Sequence, residues 1–380
     1  MLVGKEKLLS GYIGEERLLS INIDRKEAWN YNRTRLLYVL YEEGADPIYG
    51  FYVRFTAKGR VFVDWGDGET STGNNDSTGQ IYEHTYAEPL PLIKIDIYGA
   101  NTLWAVINTG FDDSFLQKVY IGDMVTQLGA NSYGVFEGYT GLKEIIFSAS
   151  STLTSIMDYA FLNCTSLDKI TIPKSVTSIG SGNVFGNGSD ILKGCINLTE
   201  IEIPFTGAKS RWNGYMPEKL FGYLFSTSSY EGATEVTQKY QYTNISYDNK
   251  VYYIPSTLRT VKITGSNTDL GNNTPCIVYG AFSGCSMLTQ IIITGNVMSI
   301  GGSAFEECTS LENIIIPNSI TSIGDRAFYN CESLTGITYN GTVEQWGSIS
   351  RGNNWAYSVP SNCKIYCTNG DLDITNFRTT

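Results

Sequence analysis

The chain has a single histidine, His84, and that residue bounds its chemistry. Two-histidine zinc and iron sites cannot be built from it. A triad around His84 needs a positioned nucleophile and a third group that orients the ring. No Gly-x-Ser-x-Gly elbow supplies that nucleophile, so His84 reads as structural. Asp64, Asp67 and Glu69, with Asn74 or Asp76, gather oxygen ligands of the kind calcium takes. Their spacing follows no dedicated calcium loop, and turn-forming acids explain it as well. The eight cysteines are Cys164, Cys195, Cys276, Cys285, Cys308, Cys331, Cys363 and Cys367. Cys285, Cys308 and Cys331 recur every 23 residues, which marks a repeated slot for a small buried apolar residue. Cys363 and Cys367 form a C-x-x-x-C pair without two further zinc ligands at matching spacing. No phosphate-binding glycine motif follows a strand and opens a helix. The sequence therefore points to no cofactor, no metal and no enzyme.

Charge narrows the partners. Lys and Arg number 27 against 38 Asp and Glu, a net charge of −11. With no basic block, nucleic acid and anionic membranes are poor partners. At 42% hydrophobic the chain is too apolar for disorder. Its 380 residues suit two or three domains. Charges and glycines interrupt the N-terminus too often for a signal peptide, and no run approaches the roughly 18 apolar residues of a span. The expectation is a chain that neither enters the Sec pathway nor inserts into a membrane.

The elements that position these residues repeat. Leu288–Ser310 and Leu311–Ser333 align without gaps, and Leu334 opens a third unit. The frame is L-x-x-I-x-I, then S-I-G, then A-F-x-x-C-x-x-L. Strand starts recur at Leu116, Leu142, Leu167, Leu198, Leu258, Leu288, Leu311 and Leu334. A unit of 23 residues lies in the leucine-rich-repeat range. Ile314 and Ile316 alternate onto one face, Ile320 and Ile323 turn inward, and Gly324 is expected to turn with positive φ. Phe282, Phe305 and Phe328 share a slot and are predicted to stack as a spine. Ala327-Phe328-Tyr329-Asn330-Cys331-Glu332-Ser333-Leu334, preceded by Ile316–Gly324, resembles the BspA-type leucine-rich repeat. The stretch Tyr339–Trp346, then Trp355 and Cys367–Gly370, is similar to the cap that closes such arrays. The resemblance covers about residues 116–370. It implies a curved solenoid for adhesion and protein or host-surface recognition, without catalysis. Tyr139 stands where a cysteine is expected, and Ile191-Leu192 precede Cys195 in place of Ala-Phe.

Before Leu116 the period changes to two. Phe51, Val53 and Phe55 alternate, as do Val61 and Val63, and Ile93, Ile95 and Ile97. Turn signals stand at Ala57-Lys58-Gly59 and Asp67-Gly68. Short alternating strands with such turns predict a β-sandwich. Val63–Thr70, with His84-Thr85-Tyr86 further on, resembles a PKD-like immunoglobulin-type domain over roughly residues 24–110. That resemblance places Trp65 in the core and His84 at the start of a strand. Residues 1–23 repeat Gly4–Ser10 as Gly14–Ser20, and this peg resembles the attachment ends of some bacteriophage structural proteins. An ordinary N-terminal hairpin is the plainer reading. The expected organisation is all-β: a segment 1–23, a PKD-like sandwich 24–115, a solenoid 116–338 and a cap 339–380.

Contact surfaces follow from the frame. The residue between the two inward positions of each strand points out: Tyr120, Ile146, Thr171, Glu202, Lys262, Ile292, Ile315 and Thr338. Tyr120, Ile146, Ile292 and Ile315 are candidate binding residues, because adjacent apolar side chains on a sheet form a patch. β-branched residues also simply suit a sheet. An aromatic-rich insert, 205–257, holds 12 aromatics, among them Trp212, Tyr215, Tyr230, Tyr240 and Tyr242. Tyrosines give rigid, amphipathic contact area, or they cover a gap in the solenoid. The expected setting is a bacteriophage virion, with the chain as a fibre, tail or capsid-decorating protein docked to virion proteins through residues 1–23. The alternative is a bacterial cell-surface adhesin. Either meets a host-surface protein or glycan, and either is compatible with a homo-oligomer.

Overall fold

Leu116, Leu142, Leu167, Leu198, Leu258, Leu288, Leu311 and Leu334 are all fully buried, as strand starts packed inward require. They lie in a computed structural model that describes residues 33–39, 51–87, 92–107, 114–129, 134–180, 189–207, 217–243, 246–265 and 276–377. Residues 1–23, and with them the expected peg, lie outside the described residues.

The first strands are β1 (Arg33–Val39), β2 (Phe51–Asp64), β3 (Thr70–Tyr86) and β4 (Leu92–Ile107). β2 pairs antiparallel with β3 and with β4. The expected turn at Ala57-Lys58-Gly59 is not there. β2 runs straight through it with a register shift at Ala57/Gly59. Gly59 has φ +114°, and a Cβ there would sit 2.5 Å from the Gly99 carbonyl oxygen. A glycine bulge bends a strand without ending it. Asp67-Gly68 does turn the chain, between β2 and β3.

The repeats begin with β5 (Leu116–Ile121) and β6 (Gln127–Leu128), then β7 (Glu144–Phe147) and β8 (Ser155–Ile156), β9 (Lys169–Thr171) and β10 (Ser178–Ile179), and β11 (Glu200–Ile203). β1 lies between β4 and β5, antiparallel to both. β4 also pairs in parallel with β6. Where the sequence predicts a separate sandwich, the described strands β1–β4 thus join one sheet with β5–β8 and β10.

The insert carries a hairpin, β12 (Ala233–Thr243) with β13 (Ser246–Pro255). Beyond it come β14 (Thr260–Ile263), β15 (Cys276–Ile277), β16 (Gln290–Ile293), β17 (Ser299–Ile300), β18 (Asn313–Ile316), β19 (Ser322–Ile323), β20 (Gly336–Tyr339) and β21 (Ser350–Arg351). β22 (Lys364–Cys367) continues the long ladder, and β23 (Gly370–Asp373) turns back antiparallel to close it. A five-residue helix, α1 (Val343–Gly347), is started by a capping box between Thr342 and Gln345. The fold is mostly β rather than purely so, with short 3-10 turns beside α1.

Each repeat buries the Ala-Phe and Cys positions of its corner, including Val135-Phe136 with Tyr139 and Ile191-Leu192 with Cys195 where the types differ. Phe282 and Phe305 stack with centroids 5.5 Å apart, and Phe305 and Phe328 at 5.2 Å. Phe136 and Phe161 stack likewise at 6.0 Å. The thiols form a second ladder. Cys308 donates to the Phe282 carbonyl and Cys331 to the Phe305 carbonyl, each at 3.1 Å. Cys164 and Cys195 donate in the same way to Phe136 and Phe161. The described cysteines are free thiols, and burial pushes the Cys195 thiol up to about 12. The slot is structural, as its spacing predicts.

In the later turns the corner also demands left-handed backbone twice. Before the alanine it falls on Tyr159, Gly280, Ser303 and Arg326; before the cysteine it falls on Asn163, Gly194, Gly284, Glu307 and Asn330. Gly324, expected to share that geometry, does not. A Cβ on it would lie 2.4 Å from the Gly302 nitrogen, so close approach of the preceding turn selects the glycine there.

Candidate functional site

The long ladder sets a sheet face from residues two apart. On it Tyr120 pairs with Ile146. Further along, Thr171, Glu202, Lys262, Ile292, Ile315, Thr338 and Tyr366 stand side by side in register. Their inward neighbours Ile145, Ile170, Ile201, Val261, Ile291, Ile314, Ile337 and Ile365 are buried. The predicted outward residues therefore stand in two registered runs, with Ile292 and Ile315 adjacent in the longer one. Side chains above and below leave most of the row half-buried, while Thr171 and Tyr366 are exposed.

The row is interrupted once. β7 ends one sheet and β9 begins the other, without a ladder between them. A groove of about 550 Å³ opens there, with Ile145, Ile170 and Ile172 in its lining and Glu144, Lys169, Lys174 and Glu202 among its polar groups. Ile146 lines this groove as well, so it belongs to a cleft rather than to a flat patch.

A parallel row lies two residues earlier: Lys118, Glu144, Lys169, Glu200, Thr260, Gln290, Asn313, Gly336 and Lys364. Its charges find partners on the face itself. Lys118 pairs with Glu144 at 2.7 Å, Lys169 with Glu200 at 3.3 Å and Lys262 with Glu202 at 2.8 Å. Lys364 pairs with Asp373. Burial pushes the Lys118 ammonium down, but hydrogen bonds to Glu144 and Tyr120 outweigh it and hold the group above its ordinary value.

The insert residues divide. Trp212 and Tyr215 lie outside the described residues, and of Tyr242 only the backbone, in β12, is described. Tyr240 is half-buried against the core and donates to Asp248 at 3.2 Å. Tyr230 lies close to Cys195 and Asp190, and burial raises its phenol. The insert also carries the corner ladder across the interruption. Leu192 N–H donates to the Leu224 carbonyl, and Phe221 N–H donates to the Ala281 carbonyl. Phe221 meets Phe282 at 4.8 Å, so it occupies the spine. Gln238 is fully buried; its Oε1 accepts from Gly222 N–H and its Nε2 donates to the Ala281 carbonyl, both at 2.7 Å. Lys239 reaches Glu306 at 2.8 Å, and Arg326 pairs with the same carboxylate. β12 passes so close that a Cβ on Gly280 would lie 1.8 Å from the Lys239 carbonyl oxygen.

His84 sits near the end of β3, not at the start of a strand. Its Nε2 lies 2.6 Å from an Asp67 carboxylate oxygen, and its ring stacks on Trp65 at 5.1 Å. Burial pushes the Asp67 carboxyl up, but hydrogen bonds from His84 and the Glu69 N–H more than offset this and hold it below its usual value. Tyr86 donates to the Trp65 carbonyl at 2.6 Å. Asp64 and Asp67 accept from the Gly66 and Glu69 N–H groups, so these acids close the turn. Among the described residues no three His, Cys, Asp or Glu side chains gather as metal ligands would.

With this geometry in place, the comparisons decide the family. The model of the BspA type leucine rich repeat region matches residues 75–191 and 235–353 in six copies. The chain belongs to the BspA-type leucine-rich repeat family. The first match begins within β3 and so overlaps the segment that resembles a PKD-like domain. Among solved structures, a leucine rich cell surface protein from Faecalibacterium prausnitzii is 22% identical, over 67% of this chain and 86% of that one, with a TM-score of 0.20. The T. pallidum leucine rich repeat protein is 17% identical over 65% and 86%, with a TM-score of 0.25. The pneumococcal vaccine antigen PcpA is 18% identical over 67% and 63%, with a TM-score of 0.23. A search of curated proteins finds no match.

Sequence reasoning missed Tyr366, which is 43% exposed and extends the outward row. Its strand lacks the leucine start that flagged the other strands. It also missed the exposed Tyr357, whose ring stacks on Tyr329, and a tyrosine count over the repeat corners would have found it. The exposed Tyr247, one of the 12 insert aromatics, packs on Tyr279.

Proposed function

We propose that the chain is a recognition protein of the bacterial cell surface, which binds a host-surface partner by contact and performs no catalysis. The observation that carries this reading is the registered outward face, with Ile292 and Ile315 side by side over a rigid ladder. A fixed, half-apolar sheet loses little conformational freedom on binding. Family membership supports the same reading. Strands β1–β4 continue the sheet of the first repeats, and residues 1–23 attach the chain to its parent structure. Family membership does not support the expected virion setting, so the cell surface is preferred.

The test is saturable binding of purified protein to epithelial cell monolayers, with surface exposure checked by protease shaving of the producing bacteria. Wild type is expected to bind, and Ile292→Lys with Ile315→Lys to bind less while melting at an unchanged temperature. Equal binding by the double variant would overturn the role of this face. Recovery of the chain in purified phage particles, and not on bacterial envelopes, would overturn the setting.

A further inference from the structure

The two halves of the outward face differ in a way that selects a ligand. The half from β5 to β14 carries Lys and Glu side chains that neutralise one another in pairs. The half from β16 to β22 presents Gln290, Ile292, Asn313, Ile315, Gly336 and Thr338, none of them charged. At its far edge Lys364 is matched by Asp373, and Asp371 stands opposite Tyr366 as the surplus charge. A polyanion finds no free cation on these rows and meets a negative edge, in a chain of net charge −11.

One spot in the neutral half is shaped. Gly336 lies between Asn313 and Lys364 in the row. A Cβ there would lie 2.7 Å from the Asn313 Oδ1 and 3.4 Å from the Tyr366 Cε2. The absent side chain lets the exposed Asn313 amide and Tyr366 ring converge over the Gly336 backbone, which is buried beneath them. The ring supplies an electron-rich face on which C–H groups settle. The amide supplies both a donor and an acceptor, which a pair of neighbouring hydroxyls matches. Gln290 repeats that amide one strand away. An extended peptide has no open edge here, because β18, β20 and β22 are laddered to one another.

We propose that this spot binds a neutral glycan: Tyr366 stacks on a sugar ring, and Asn313 and Gln290 hold its hydroxyls. The inference deepens the contact reading above and rests on it. Full-length protein is run in native gels containing mannan, dextran or arabinogalactan as neutral probes and heparin as the anionic one. At least one neutral probe is expected to retard the wild type. Tyr366→Ala and Asn313→Ala are each expected to weaken that binding by about tenfold with an unchanged melting temperature. Met124→Ala, an exposed residue in the first repeat, keeps wild-type binding. Retardation by heparin alone, by no probe, or equally by the Tyr366 variant overturns the proposal. The contact reading fails separately. If the cell-monolayer binding survives enzymatic removal of surface glycans, a protein partner is indicated, the glycan is wrong and recognition by contact stands.

Discussion

Replacing Phe305 by alanine tests the architecture most directly. Its side chain is fully buried and stacks on Phe282 at 5.5 Å and on Phe328 at 5.2 Å. Truncating a buried phenylalanine costs about 3–5 kcal/mol in lost transfer energy and residual cavity. Loss of two ring contacts, at about 0.5–1.5 kcal/mol each, favours the upper part of that range. The cavity also resists collapse, because the neighbouring turns are fixed by main-chain bonds such as Phe305 N–H to the Ala327 carbonyl at 2.8 Å. We expect a loss of about 4 kcal/mol. With a urea slope of about 3 kcal/mol/M, the midpoint falls by roughly 1.3 M. Tryptophan fluorescence reads it, since Trp346 and Trp355 are buried in the cap next to the spine. Phe305→Leu nearly conserves volume and is expected to cost less than about 1.5 kcal/mol. A midpoint unchanged by the alanine variant, or an equal loss for both variants, would refute the stacked spine.

Three further outcomes follow from the corner and the insert. Glu307 is exposed with φ 62°, so Glu307→Gly is expected to gain up to about 1 kcal/mol by relieving left-handed strain, read as a higher melting temperature. Gly280→Ala is expected to lose more than about 1 kcal/mol and to speed amide exchange in the β12–β13 hairpin, because the new Cβ meets the Lys239 carbonyl. Burial pushes the Glu306 carboxyl up, but hydrogen bonds from Lys239, Ser303 and Arg326 outweigh it and set it below its usual value. A depressed folded value gives stability that is present above the ordinary carboxylate range and lost as pH falls through the folded value. Peptic cleavage of the insert, by a protease active in that acid range, is therefore expected to rise on acidification, and Glu306→Gln to remove that dependence.

The repeat frame made much of the fold legible. A leucine start and a phenylalanine slot are local signals, and each recurs often enough to fix the period. Phe221 escaped because it joins the spine from inside the insert, where no frame applies. The left-handed corner positions escaped because Tyr159, Glu307 and Arg326 do not advertise such backbone. Gly280 and Gly284 do, and they mark where β12 crosses. In the N-terminal region alternation revealed strands but not partners. That β1 lies between β4 and β5 depends on chain closure over long separations, which no local pattern encodes. The outward row was readable as a face. Its division into a self-paired half and a neutral half was not, because that depends on which turns become neighbours across the insert.

The missing ladder between β7 and β9 bears on how the molecule comes apart. In a stacked array each unit leans only on its neighbours, so rupture starts at the poorest joint and not at the average one. Here the long edge is parted while the short edge stays stitched, through β8 and β10 and through Thr177 N–H to the Thr154 carbonyl at 2.9 Å. The corner is stitched too, by Phe161 N–H to the Ile191 carbonyl at 3.0 Å, so the joint is a hinge pinned along two edges and free along the third. Pulling or thermal motion would open it like a book, swinging the N-terminal strands as a block against the ion-paired and neutral rows beyond. Under load the array then yields at one place and keeps the registered outward rows on either side intact.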